Sequence, residues 1–432
     1  MITFQAVARR HPALQSRDFR RIFANAFFAS ASHWTMLLAR GWLVFELTGH
    51  AGWVGAATFA GMIPLLLAGP IGGALADRAD RRRMAIAADS VSIVSALGLA
   101  AITLPGFVEP WHVIAFAALG GTARAFGTPA EQALIANVVP KEHLLNAIAL
   151  AGITRHGSRV LGPTIGGAML SFLGSGSVFI LSGCFVALAL YQLFRLEYRA
   201  PPAAGEAEGP LFDGRRILSD IGAGFSYLER DARVLFVMVL VGLHCGLTMA
   251  FDSMMPTLAT QVGGADRTYS AIIVGVGVGA ICGTLVISML RTEVAQGRAL
   301  LVVGIGSGAA MLVIGFAVTP WMAVLGGVAT GLTQASYMAL SATFVQRTVP
   351  DEYRGRVMSI YLMLAAGHMA FANFGYGWLS NELGVRVLLI FPAMIWTLAF
   401  LTAATILPEV RSLVRRGTFR PRPATAAVGV EP

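Results

Sequence analysis

Gly73-Ala74-Leu75-Ala76-Asp77-Arg78-Ala79-Asp80-Arg81-Arg82 sits between two long apolar runs and carries almost every charge in its neighbourhood. It reads as a tight turn at a membrane surface. Gly72 and Gly73 allow two helices to approach closely, Asp77 can cap the helix that follows, and the arginines hold positive charge at the water boundary. The runs on either side are two of many. A membrane crossing needs about 20 apolar residues, and stretches that long fall near 22–47, 52–75, 84–105, 111–138, 145–173, 177–197, 234–260, 269–290, 299–319, 321–346, 357–380 and 385–407. The chain therefore reads as an all-α polytopic membrane protein with twelve transmembrane helices. Of its 432 residues 56% are hydrophobic and 13% charged, which excludes a soluble globule of this size.

Charge orients the turns. With the N-terminus inside, the inner segments hold clusters such as Arg17, Arg20 and Arg21, Arg78 with Arg81 to Arg83, Arg215 and Arg216, Arg354 and Arg356, and Arg411, Arg415 and Arg416. The outer loops hold only Arg267 and Arg386, so both termini are expected in the cytoplasm. The same rule explains the net charge of +9 without a nucleic-acid partner, since the charge is spread over short loops and not gathered on one face. Cys184, Cys245 and Cys282 lie inside apolar runs without paired spacing, so neither a disulfide framework nor a zinc site is implied. Residues 1–21 are basic and lead into a run longer than a signal-peptide core, which predicts an uncleaved first span.

The chain repeats itself. A gapless shift of 210 residues lays Gly73 on Gly283, Arg81 on Arg291, Pro110-Trp111 on Pro320-Trp321, Val139-Pro140 on Val349-Pro350 and Gly167 on Gly377. Two six-helix pseudo-repeats follow, parallel because an even number of spans separates equivalent positions. The divisions expected are a cytoplasmic N-terminal segment 1–21, a first bundle 22–197, a cytoplasmic linker with an interfacial helix 198–232, a second bundle 233–408 and a cytoplasmic tail 409–432. In the linker, residues 201–210 are expected to be flexible, whereas Ile217, Leu218, Ile221, Phe225 and Leu228 recur at helical spacing beside Arg215, Arg216 and Arg230. The second half lacks the charged turn, with Ile287 and Ser288 where the first has Asp77 and Arg78.

The pattern G-x-x-x-D-R-x-x-R-R, on Gly73, Asp77, Arg78, Arg81 and Arg82, resembles the signature loop between the second and third spans of the major facilitator superfamily. Asp80 stands where that family usually has Gly, so a variant turn is expected. In the fifth span Gly157, Gly162, Pro163, Gly166 and Gly167 suit a packing groove with a proline bend, and the G-P-x-x-G-G run also resembles the motif associated with antiporters of that superfamily. Gly41-Trp42-Leu43-Val44, Glu46-Leu47-Thr48-Gly49, Asn146-Ala147-Ile148, Arg159-Val160-Leu161-Gly162-Pro163 and Arg354-Gly355-Arg356-Val357-Met358-Ser359 look like the branch that holds the enterobactin exporters and macrolide efflux proteins. The resemblance covers most of the chain. It implies the major facilitator fold, proton-driven export across a bacterial inner membrane, and alternating access with the charged turn as a latch. Substrates differ within the branch, so none is carried over. Gly127 and Glu131 stand where an acidic and a basic residue would be expected, so a charge relay there would be rewired.

Ionisable side chains inside spans are costly unless they face a cavity or a partner. His33, Arg40, Arg124, Glu131, Arg155, His156, Arg159, His244, Asp252 and His368 are of this kind. His33 with Arg40, and Arg124 with Glu131, are each spaced to share one helix face. His33, Arg40, Arg124, Arg155 and His368 are candidates for a substrate cavity, and Arg159 for a structural tie beside Gly162-Pro163. The bland alternatives are packed histidines, a snorkelling Arg40, and a Glu131 that pairs with Arg78 or Arg81. For proton coupling the candidates are Asp252, Glu131 and His244; Asp252 leads as the only carboxyl well inside the second half, where low-dielectric surroundings penalise the charged form of an acid. Arg40, Arg124, Arg155 and Arg159 outnumber Glu131 and Asp252, which suits an anionic or neutral amphipath, such as a catecholate, a carboxylated metabolite or a macrolide, over a lipophilic cation.

Enzyme chemistry finds no support. The single lysine, Lys141, follows Pro140, so there is no Walker loop, and neither G-x-S-x-G nor H-E-x-x-H occurs. No cofactor or metal is implied. The partners expected are a small-molecule substrate, protons and the lipid bilayer, with the chain as a monomer. A proton-coupled importer and a cation-type multidrug exporter are the rival readings.

Overall fold

The computed structural model describes residues 12–198 and 214–419, almost all of them helical. The stretch 201–210 and the tail beyond 419 lie outside the described residues, as do the side chains of Asp77, Arg155 and His156.

α1 (Arg17–Thr48) begins where Ser16 accepts a hydrogen bond from the Phe19 amide at 3.2 Å. α2 (Ala51–Arg78) and α3 (Arg81–Thr103) flank the charged turn. The cap of α3 is Asp80, not Asp77: Asp80 accepts from the amides of Arg82 at 2.9 Å and Arg83 at 3.2 Å. Asp77 still belongs to the last turn of α2, too early in the chain to serve. With φ −65° and ψ 104°, the Asp80 backbone is one that any L-residue adopts, so an acid replaces the family glycine without strain. Only one of the two glycines serves close approach. A Cβ at Gly72 would overlap the Ala125 carbonyl of α4 (Pro110–Val138), whereas one at Gly73 would meet nothing.

The helical stretch Leu144–Phe194 reverses at Gly174, whose φ of 74° and ψ of 174° suit glycine alone. Val178 thereby returns against Gly166, and the Glu197 amide reaches Asp18 at the same end where Asn146 meets Ala13. The two arms are α5 (144–173) and α6 (175–194). The second half comprises α7 (Ala232–Leu247, resumed at Met255–Val262), α8 (Ala265–Ser288), α9 (Glu293–Gly315), α10 (Pro320–Thr348), α11 (Asp351–Leu383) and α12 (Val385–Ile406). Two shorter amphipathic helices, Gly214–Arg230 and Pro408–Arg416, flank it.

Among the described residues, eight stretches are long and apolar enough to cross a membrane on their own, one of them containing the Gly174 reversal. α1, α4 and α10 are as long but more polar, carrying Arg40 and Glu46, Arg124 and Glu131, and Gln334. Helix pairs are drawn together by small residues: a Cβ at Gly279, Gly283 or Gly331 would overlap backbone across the α8–α10 contact.

The halves meet along α2–α11 and α5–α8, and their contacts concentrate at the end opposite the arginine clusters. Trp53 lies 6.3 Å from Trp378, Phe59 lies 5.2 Å from Phe371, Trp42 stacks on Tyr269 at 5.9 Å, and Ser171 hydrogen-bonds Asp266. At the arginine-rich end, a Cβ at Gly73, Gly152 or Gly355 would meet open space.

Candidate functional site

A break in α7 organises the centre. Pro256 has no N–H, and its ring would collide with the Asp252 carbonyl in a continuous helix, so α7 stops after Leu247 and restarts at Met255. The freed backbone groups find buried side chains. Gln334 of α10 donates to the Thr248 carbonyl at 2.7 Å, and Asn373 of α11 accepts from the Ser253 amide at 3.1 Å. Inside a membrane each such group would otherwise be unsatisfied at a cost of several kcal/mol. Gln334 and Asn373 therefore hold the gap open, with Asp252 at its edge.

Three arginines from the first half gather around His33. Arg124 Nη1 lies 2.9 Å from His33 Nε2, and since a guanidinium can only donate, the imidazole accepts. Arg159 lies over the Trp34 ring at 4.4 Å from its centroid, and its Nε is buried without a partner. Arg40 donates to the Met36 carbonyl at 3.3 Å and reaches toward Gly120 of α4. All three lie within electrostatic range of His33, and Asp252 lies within range of Arg159. Three fixed cations thus gather at one histidine, and the carboxyl of Asp252 stands near one of them, Arg159.

The glycine run of α5 positions Arg159. A Cβ at Gly162 would stand 2.6 Å from the Ala31 carbonyl and one at Gly166 3.2 Å from Thr35, so α5 lies directly on α1. Gly167 faces the other way and packs on Ser270 of α8. The run is a two-sided groove joining α5 to its own half and to the other.

The remaining candidates scatter. His368 is exposed and lines an apolar cavity of about 620 Å3 bounded by α2, α7, α11 and helix Gly214–Arg230, with Leu66, Phe225, Leu243 and Phe371 among its walls. His244 lies inside the second bundle, stacked on Tyr337 at 4.1 Å, edge-on to Trp396 and 3.1 Å from the Ser307 hydroxyl. It faces no cavity. Glu131 is half-buried in α4, beside Gly127 and toward the arginine-rich end. In the charged turn, Arg81 donates to the Ala76 carbonyl at 2.8 Å and to Asn137 at 2.9 Å, while Arg82 donates to the Leu193 and Phe194 carbonyls at 3.0 and 2.9 Å. Those bonds stay within the first half.

Sequence reading passed over Asp89, Trp34, Gln334 and Asn373. Asp89 is buried between α1, α3 and α6, where it accepts from Asn25 at 2.8 Å; the signal was a lone carboxyl in the run 84–105. Pro256 inside the run 234–260 announced a break, and the lone amides Gln334 and Asn373 were its available partners.

A family model described as transmembrane secretion effector matches residues 10–428. The chain is 22% identical over 347 residues to the staphyloferrin A transporter of Staphylococcus aureus, covering 79% of this chain and 84% of that protein. It is 26% identical over 377 residues to the enterobactin exporter of Citrobacter koseri, covering 82% of each. Among solved structures, a POT family transporter in complex with 5-aminolevulinic acid matches with a TM-score of 0.72 at 12% identity, over 91% of this chain and 97% of that one. A D-xylose-proton symporter matches with a TM-score of 0.68 at 14% identity, over 93% and 100%. Such low identities speak for the fold alone. The family match spans nearly the whole chain and agrees with its helical bundle, so the protein belongs to the transmembrane secretion effectors, membrane transporters of the major facilitator superfamily.

Proposed function

We propose that this chain is a proton-coupled exporter of an anionic or neutral amphipathic small molecule, a monomer that crosses the membrane twelve times with both termini in the cytoplasm. The observation that carries the reading is the cluster of Arg40, Arg124 and Arg159 around His33, with Asp252 in range of Arg159. Clustered cations in a low-dielectric interior repel one another and attract an anion. The 620 Å3 apolar cavity at His368 supports the amphipathic part of the reading, as a seat for the substrate's apolar portion. Export is favoured by the similarity to the enterobactin exporter and by the G-P-x-x-G-G run.

The bundles 22–197 and 233–408 would rock about this site. Asp252 is the leading proton carrier: it adjoins the break in α7 and the arginine cluster, so its charge is felt where the substrate sits. Neutralising it would bias the switch between the two states. Everted vesicles given an outward-to-inward choice test direction. Accumulation of an anionic amphipath, abolished by a protonophore and by Asp252→Asn, is expected; loss of the compound would make the protein an importer, and uptake of cationic dyes alone would make it a cation-type exporter.

The latch has its own test. Asp77→Asn is expected to slow turnover about ten-fold while leaving the melting temperature unchanged, since 1–3 kcal/mol of state-specific coupling is typical of such elements. Unchanged turnover would remove the latch from the mechanism.

A further inference from the structure

A second basic site lies away from the centre. At the start of α1 a cavity of about 380 Å3 is lined by Arg17, Arg20, Arg21 and, from α6, Gln192. Positions 17, 20 and 21 share one helix face, and the first-turn amides add the positive end of the helix dipole, so three cations stand where a helix least favours them. Arg21 bonds Asp18 at 3.1 Å and Glu197 at 3.0 Å, with Glu197 67% exposed, and Arg20 donates to the Leu14 carbonyl.

The second half supplies the contrast. Arg230-Asp231-Ala232-Arg233-Val234 repeats Arg17-Asp18-Phe19-Arg20-Arg21 with alanine for the phenylalanine and valine for the last arginine. There Asp231 grips Arg233 through both oxygens, at 2.8 and 2.6 Å. The second start thus ties its arginine to the adjacent acid, whereas the first lines a cavity with three arginines. Beside the cavity, α6 turns Leu188, Tyr191 and Phe194 outward, each roughly half exposed, as an apolar strip leading from the pocket along the membrane face.

We propose that this pocket binds the phosphate of an anionic phospholipid headgroup, with the acyl chains lying along Leu188, Tyr191 and Phe194. Arginine forks match phosphate oxygens, and a basic pocket between helices at the membrane surface is built for such a headgroup. The inference needs only the membrane placement of α1 and α6, not the substrate reading. The test uses the full chain in nanodiscs of phosphatidylcholine with or without phosphatidylglycerol, read by thermal unfolding and by native mass spectrometry of retained lipid. Phosphatidylglycerol is expected to raise the melting temperature and stay bound. Arg17→Gln should weaken its retention about five-fold, the effect of the roughly 1 kcal/mol that each surface arginine adds. Arg17→Lys should keep most of it, and Arg17 is exposed, so neither variant threatens the fold. Equal retention of both lipids, or equal retention by wild type and Arg17→Gln, overturns the proposal. Stabilisation in detergent by inorganic phosphate or glycerol 1-phosphate as strong as that by the lipid overturns the lipid assignment in favour of a soluble phosphate.

Discussion

Arg124→Ala is expected to lower transport of an anionic amphipath by about thirty-fold or more, because truncating one member of a buried charged contact costs roughly 2–5 kcal/mol. Arg124 joins α4 to α1 through His33, so the variant removes a cation from the cluster and also leaves the imidazole without its donor. His33→Gln separates the two effects, since it can still accept from Arg124 and keeps all three arginines. Thermal unfolding provides a second reading. A ligand at a hundred times its dissociation constant adds about 2.7 kcal/mol to the folded state. Stabilisation by anionic members of an amphiphile panel should appear in wild type and His33→Gln and vanish in Arg124→Ala. Stabilisation by cations alone, unchanged in Arg124→Ala, would make the arginines structural and turn Asp252 toward the substrate.

Trp396→Ala is expected to destabilise the second bundle by roughly 3–5 kcal/mol, the range for a large buried aromatic. Trp396 has no exposed surface, donates from Nε1 to the Gly304 carbonyl at 2.7 Å, stacks on Phe400 at 5.2 Å and meets His244 edge-on at 4.9 Å. His244→Leu should destabilise less, by about 0.5–1.5 kcal/mol, as the contact of the imidazole with Ser307 is lost while the Ser307 hydroxyl still donates to the Val303 carbonyl at 2.8 Å. The decisive comparison is the pH profile of transport in His244→Leu. A profile matching wild type, alongside a lowered melting temperature, assigns this histidine to packing; a shifted profile would return it to proton coupling.

The charged turn shows how far local signals reach. Its place between two spans was legible in Gly73 to Arg82, because polar residues interrupting apolar runs have nowhere else to go. The identity of its cap was not, since Asp77 and Asp80 are equally good caps until the end of α2 is known. The glycine run of α5 was legible as a packing groove, while its two-sidedness depended on which helices lie on either flank.

The amino-acid sequence by itself determined the membrane class, the places of the long helices and the chain reversals between them. In lipid every backbone group must be paired within its own helix, so the length and polarity of each run carry that information locally. Only the tertiary structure decided which ionisable residues meet. His33, Arg40, Arg124 and Arg159 converge, His244 turns into an aromatic core, and Asp252 sits at a break held by Gln334 and Asn373. Those outcomes depend on the rotation and axial register of helices far apart in the chain, and these are set by close packing at glycines such as Gly162, Gly279 and Gly331 and not by hydrophobicity.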